Sequence, residues 1–211
     1  MSTTRLLILG AVRIFQPVHG YHVRRELISW EVDSWANLNP GSVYNALRKL
    51  SGDGFLAEGA TEPASLGAPR TTTYSLTAEG ESEFRDLLRD KLTTVDVYAA
   101  DSLMAGVAFM WALPRHEVLH ALEGRLPQIL ARNEALNESI DQAKFDPEIP
   151  QHVREIKRLL LARLTGEKQW TEALIEQVAA GAYVFAGEPR TDYFGAAPDA
   201  TAASAPPPNL A

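Results

Sequence analysis

Two short stretches carry side chains whose types and spacing suit chemistry. The first is His116-Glu117-Val118-Leu119-His120, an H-E-x-x-H pattern. On a helix it sets two imidazoles one turn apart on one face. Two histidines and a distant carboxylate can hold zinc, with the Glu as general base on the bound water. Glu134 and Glu138 are the downstream carboxylates. Pro114 places His116 in a first helical turn, where helices fray. On one continuous helix Glu138 would stand roughly 27 Å from His120, so only a reversal near Pro127 would complete the set. A zinc metallopeptidase is therefore the alternative reading. A plain polar face, with Glu117 near the positive end of its helix, or a non-catalytic metal site at His116 and His120, is favoured over it. No catalytic residue and no cofactor is assigned.

The second stretch is Asn39–Asp53, NPGSVYNALRKLSGD. Asn39 can cap a helix, Pro40 suits its first position and Gly54 supplies a left-handed stop. Val43, Ala46, Leu47 and Leu50 then form one apolar stripe. The other face carries Ser42, Tyr44, Asn45, Arg48 and Lys49. Such a row can hydrogen-bond base edges and phosphates in a major groove, where a helix fits. Arg48 is suited to a bidentate contact with guanine, Asn45 to adenine and Lys49 to a phosphate. For an isolated amphipathic helix a solvated face is the commoner explanation, so the neighbouring elements decide.

Those neighbours are short helices. A first helix runs from Thr3 or Thr4 to about Phe15, and Pro17 and Gly20 break it. A second spans roughly Tyr21–Trp30. Glu31–Leu38 reads as a turn before the helix just described. Three helices in tandem make a helix-turn-helix. Beyond Gly54 the period changes to that of strands. Phe55–Glu58 and Arg70–Leu76 form a hairpin wing around a loop at Thr61–Pro69. Thr77-Ala78-Glu79-Gly80 opens a fourth helix.

Composition sets the outer limits. The chain has 211 residues, no cysteine and a net charge of −7. Disulfides and zinc–thiolate sites are excluded. No apolar run reaches the ~18 residues of a membrane span, and MSTTRLLILGAVRIF lacks the features of a signal peptide. A cytoplasmic protein without membrane contact is expected. Met1–Leu76 holds seven Lys/Arg against six Asp/Glu, a net of +1, which leaves −8 for the remainder. Any positive face is local, and DNA binding would be sensitive to salt.

The segments Leu6–Gly10, His19-Gly20-Tyr21, Ser42–Leu50, Gly54-Phe55-Leu56 and Tyr74–Gly80 together resemble the PadR family of transcriptional regulators. The resemblance covers about the first 90 residues, with the motifs in order. It implies that Tyr21 reaches a phosphate from the start of the second helix, and that the wing residues Arg70 and Thr72 also touch DNA. The wing departs from the family pattern, because Arg70 is followed by three threonines where more basic residues are common.

The second half reads as helical: Val95–Leu113, Pro114–Ala143 with a kink or break at Pro127, a loop at Phe145–Pro150, and Gln151–Val184. Long apolar-striped helices without a compact partner set imply a homodimer, and longer PadR-like proteins dimerise through such helices. The expected fold is mainly α. A winged helix-turn-helix (three helices plus a two-stranded wing, residues 1–90) precedes an α-helical dimerisation and effector domain (91–186) and a disordered Ala/Pro-rich tail (187–211). The resemblance implies a repressor that binds double-stranded DNA at a palindromic operator and responds to a small aromatic or cationic effector. Tyr98, Phe109, Trp111 and Trp170 are candidates for that pocket, although aromatics in a dimer-interface core are the commoner case. A winged-helix adaptor for protein contacts remains the other alternative.

Overall fold

Helix α1 (Thr3–Phe15) is buried continuously from Leu6 to Val12. A helix apolar on every side must sit inside its domain, and α1 packs against α2, α4, α5, α6 and β3. The computed structural model describes residues 3–36, 38–60, 72–143 and 150–189. The loop expected at Thr61–Pro69, Arg70, nearly all of the loop at Phe145–Pro150 and the tail beyond Pro189 lie outside the described residues.

After α1 come β1 (Val18–His19), α2 (Gly20–Ser29) and α3 (Val32–Trp35). A turn was expected where α3 forms. Glu31 takes a left-handed conformation (φ 53°) and α3 follows, with Val32 buried beneath it. A short 3-10 turn (Pro40–Ser42) leads into α4 (Val43–Gly52). The cap is the expected one: Asn39 Oδ1 accepts from the Gly41 N–H at 2.8 Å. Val43, Leu47 and Leu50 are buried. The stop is the expected one too. Gly54 has φ +83°, and the Phe55 N–H donates to the Leu50 carbonyl at 2.9 Å, a bond only a left-handed residue allows at that point.

Strands β2 (Leu56–Ala60) and β3 (Thr72–Leu76) form the wing. They pair antiparallel with Leu56 opposite Leu76 and Glu58 opposite Tyr74. The sheet has a third strand that the sequence does not announce: β1 pairs with β3, Val18 opposite Tyr74, in the order β1-β3-β2. Helix α5 (Ala78–Thr93) then starts at Thr77. The Thr77 hydroxyl accepts from the Gly80 N–H at 3.0 Å and donates to the Gly54 carbonyl at 2.7 Å. One side chain thus caps α5 and fixes it to the end of α4.

The C-terminal half holds α6 (Ala100–Phe109), a 3-10 turn (Met110–Ala112), α7 (Arg115–Gln142) and α8 (Val153–Ala179). Two helix bounds are corrected, and of the kink or break expected at Pro127 the break is excluded. Helix α6 begins at Ala100, not Val95, because Asp96 accepts from the Tyr98 N–H at 2.9 Å and closes a turn there. Helix α7 runs on through Pro127 without a break. Gln128 supports it at that point, its amide donating to the Gly124 carbonyl at 3.1 Å and to the Thr93 carbonyl at 3.0 Å. Helix α8 stops at Ala179 rather than Val184, and Gly181 (φ +82°) turns the chain back. Helices α7 and α8 lie antiparallel: Lys157 donates to Ser139 Oγ at 2.6 Å and Arg125 to Glu167 at 2.6 Å.

One hydrophobic cluster runs from α1 through Leu47, Phe84 and Phe109 to Leu122, Val178 and Phe185. A smaller one joins Val95, Ile129 and Leu164. Among the described residues no helix is long and apolar enough to cross a membrane.

Candidate nucleic-acid interface and ligand cavity

The face of α4 opposite its apolar stripe is open. Tyr44 is 42% exposed, and Asn45, Arg48 and Lys49 are exposed beside it. Ser42 is half-buried, and its hydroxyl donates to the Asn39 carbonyl at 2.7 Å, so it serves the helix start. Arg48 donates to Asn45 Oδ1 at 2.5 Å, which aligns the two polar groups of the face.

The flanking elements converge on this face. Tyr44 and Leu47 lie against Gly20 at the start of α2, where a methyl group would stand 3.2 Å from either side chain. Tyr21 follows and is 63% exposed. His19 makes no side-chain cap to α2; its ring contacts the Thr72 carbonyl at 3.3 Å. Thr72 is exposed on β3. Tyr74, opposite Glu58, has its phenol pushed up by burial first and by the Glu58 carboxylate second, while Arg48 acts in the other direction. Arg48 thus stands close enough to the wing to be felt there. The structure brings Tyr21, Tyr44, Asn45, Arg48, Lys49 and Thr72 onto adjoining elements. His19, Glu58 and Tyr74 belong to the same neighbourhood; His19 and Tyr74 stand in the sequence only as motif residues and Glu58 was not singled out, because strand pairing rather than helical spacing brings them there.

The H-E-x-x-H segment opens α7 with His116 and His120 exposed. Glu117 accepts from Arg89 Nε at 2.8 Å, and that hydrogen bond holds its carboxyl below the usual range. A carboxylate committed to a guanidinium is a poor base for bound water. Since α7 continues past Pro127, Glu134 and Glu138 do not return to the histidines. Among the described residues no group of three His, Asp or Glu side chains is placed to hold a metal ion.

The four aromatics expected to share a pocket are dispersed. Tyr98 is 84% exposed, and Trp170 is exposed on α8. Phe109 is in the core, edge-on to Trp30 and Phe84 with centroids 6.1 and 5.7 Å away. Of the four, Trp111 lines a cavity among the described residues. This cavity, about 600 Å³, lies between Arg13, Val107, the 3-10 turn and the returning segment 181–188. That segment was expected to be helix as far as Val184. Arg115 holds it instead, through Glu188 (Nε–Oε1 2.7 Å, Nη2–Oε2 2.8 Å), the Tyr183 carbonyl and the Val178 carbonyl. The Arg115 bond keeps the Glu188 carboxyl below its ordinary range.

Residues 8–86 match the family described as the Transcriptional regulator PadR-like family. No curated protein matches the sequence. Solved structures similar to the chain include Bacillus subtilis PadR in complex with operator DNA, at 21% identity over 82% of this chain and 98% of that one, with a TM-score of 0.38. Another is the same protein in complex with p-coumaric acid, at 20% identity over 84% and 99%, with a TM-score of 0.34. A third is smu.1604c from Streptococcus mutans, at 21% identity over 83% and 99%, with a TM-score of 0.37. The family match spans α2, α4, both wing strands and the start of α5, the elements that build the open face of α4, so this part of the chain is similar to the PadR-like transcriptional regulators.

Proposed function

We propose that the chain binds double-stranded DNA as a homodimer and represses a nearby promoter, releasing its operator when a small molecule binds. The observation that carries this reading is the exposed face of α4 in a winged unit, with Tyr44, Asn45, Arg48 and Lys49 free of the core. Arg48 and Asn45 would read base edges, while Lys49 and Tyr21 would hold phosphates. Thr72 and Arg70 would add wing contacts.

The division of labour falls near residue 90, within α5. Residues 1–90 would meet DNA, and 91–186 would form the dimer arm. Ile156, Leu159 and Trp170 are 58%, 54% and 40% exposed on α8. With Gly166 they share one helical stripe, at spacings of three, seven and four, which suits a second copy of the same helix. Two recognition helices would then enter major grooves about 34 Å apart on a palindromic site. An effector would act by binding one dimer geometry better than the other.

The test is fluorescence anisotropy with DNA from upstream of the gene itself, against scrambled DNA, over a salt series. Arg48→Ala should weaken specific binding by about 1–3 kcal/mol. Lys49→Ala should weaken binding to both DNAs and flatten the salt slope. Equal affinity of parent and both variants would remove α4 as the reader and favour the adaptor reading.

A further inference from the structure

We infer that Asn45 and Arg48 meet DNA as one unit that only donates, so that it selects keto bases, guanine above all, and Asn45 does not read adenine. The inference rests on the DNA-binding reading of the α4 face and gives that face its base preference.

Arg48 Nη2 donates to Asn45 Oδ1 at 2.5 Å, three residues back along α4. A guanidinium carries donors and no acceptor, so the amide must turn its oxygen, not its nitrogen, towards it. The bond is charge-assisted and therefore among the stronger side-chain bonds. Both side chains are exposed, so the pair stands where a groove would meet the helix.

The pairing decides which atoms are left for a base. To hold adenine, an asparagine accepts from N6 and donates to N7. Asn45 Oδ1 already serves Arg48. An adenine there would aim its N6 amino group at a guanidinium, donor against donor. What the pair still offers is the Asn45 amide N–H groups and the other N–H groups of Arg48, which donate to nothing else among the described residues. Guanine presents N7 and O6, both acceptors, and thymine presents O4. Cytosine presents an N4 amino donor and is refused as adenine is.

Within α4 no carboxylate makes good the missing acceptor, because Val43–Gly52 contains no Asp or Glu. Lys49 is a cation. Ser42, just before the helix, is half-buried and tied to the Asn39 carbonyl. The Tyr44 hydroxyl donates as readily as it accepts. Asn45 is thus a positioning residue for Arg48 and a donor beside it.

Selection from random double-stranded DNA with the full chain, followed by anisotropy on the selected site, tests this. Arg48→Ala identifies the guanine that Arg48 reads. There, 7-deazaguanine, which lacks N7, should weaken binding of the parent about tenfold, and adenine should weaken it at least as much. Inosine, altered only on its minor-groove edge, should bind like guanine. Asn45→Ala should relax a preference for guanine or thymine, and the double variant should bind about as weakly as Arg48→Ala, as for two groups that act together. An adenine preference in the parent that Asn45→Ala relaxes would overturn the inference. So would equal binding of guanine and 7-deazaguanine, or an Asn45→Ala protein with every preference intact. A selection that enriches no sequence sinks the DNA-binding reading and the inference with it. One that enriches a site indifferent to both substitutions sinks the inference and leaves DNA binding standing.

Discussion

Arg125 is 2% exposed, a cation sealed between α5, α7 and α8. Its guanidinium donates to Glu167 at 2.6 and 3.0 Å, to the Thr94 carbonyl at 2.5 Å and to the Leu92 carbonyl at 3.4 Å. Glu167→Ala would leave the charge with carbonyl dipoles alone. Removing one partner of a buried pair costs about 3–5 kcal/mol. The Glu167 side chain is 19% exposed, so water can partly replace it, and the lower end, about 3 kcal/mol, is expected. For a chain of this size that is a fall in melting temperature of roughly 6–12 °C. Arg125→Met should cost less, about 1–3 kcal/mol, because Glu167 can hydrate and what remains is orphaned carbonyls. The double variant Arg125→Met/Glu167→Leu should lie nearer the parent than Glu167→Ala does. Urea unfolding at one fixed protein concentration reads all three, because the proposed dimer would make stability depend on concentration. A loss below about 1 kcal/mol for Glu167→Ala would show that water reaches Arg125 and that the pair does not fasten the arm to α5.

Gly10 faces the Phe109 ring so closely that a methyl group would overlap it. Gly10→Ala should therefore destabilise by about 1–2 kcal/mol, overpacking outweighing the helix-propensity gain, and Phe109→Leu in the same chain should recover part of the loss in a thermal melt. Thr77→Ala removes the cap of α5 and its bond to Gly54, and should cost about 1–2 kcal/mol with faster hydrogen exchange at the first turn of α5. Glu117 is held below its ordinary 4.5 by Arg89. Its folded value is depressed, so the pair's contribution is present above the unfolded value and is lost as pH falls through the folded one. Melts of parent and Glu117→Gln should differ slightly at neutral pH, by less than about 1 kcal/mol because both partners are part-exposed. The two should converge as the pH falls below the ordinary carboxylate range; a gap that widens in acid would contradict the pairing.

The α4 unit was legible because its information is local: a cap, a proline, a stripe and a glycine lie within 16 residues, Asn39 to Gly54. Strand β1 was not, since two residues carry no alternation and only β3, more than 50 residues away, makes them a strand. Helix α3 has four residues, too few for a helical stripe. The returning segment 181–188 depends on Arg115 meeting Glu188 across 73 residues, and nothing near either residue encodes that. The aromatics were chosen by type, and type does not say whether a ring faces a core, as Phe109 does, or solvent, as Tyr98 does. The H-E-x-x-H pattern was legible as letters; its meaning turned on Arg89, 28 residues earlier.

Helix α5 joins the winged unit to the C-terminal helices, beside the direct packing of α1 on α6. Its first turn is fixed to α4 by Thr77 and to α1 through the Glu81–Arg13 pair at 2.9 Å. Its far end packs on α6 and α7 and accepts a hydrogen bond from Gln128 at Thr93, and two arginines add contacts of unequal strength. Arg89 and Glu117 form a pair with side chains 43% and 29% exposed, worth less than about 1 kcal/mol. Arg125 on the Leu92 and Thr94 carbonyls is buried, and withdrawing it would strand a charge. A change of angle between arm and winged unit would therefore pivot at Arg125 and yield at Arg89. Arg89→Ala should leave the melting temperature within about 4 °C of the parent, since it forfeits about 1 kcal/mol or less. On the proposed dimer it should nonetheless shift DNA affinity, because it frees the angle that would set the spacing of the two α4 helices. Arg125→Met should lower the melting temperature and, where the protein stays folded, disturb DNA affinity as well. An Arg89→Ala protein with parental affinity for DNA would place the pivot elsewhere and leave α5 a passive strut.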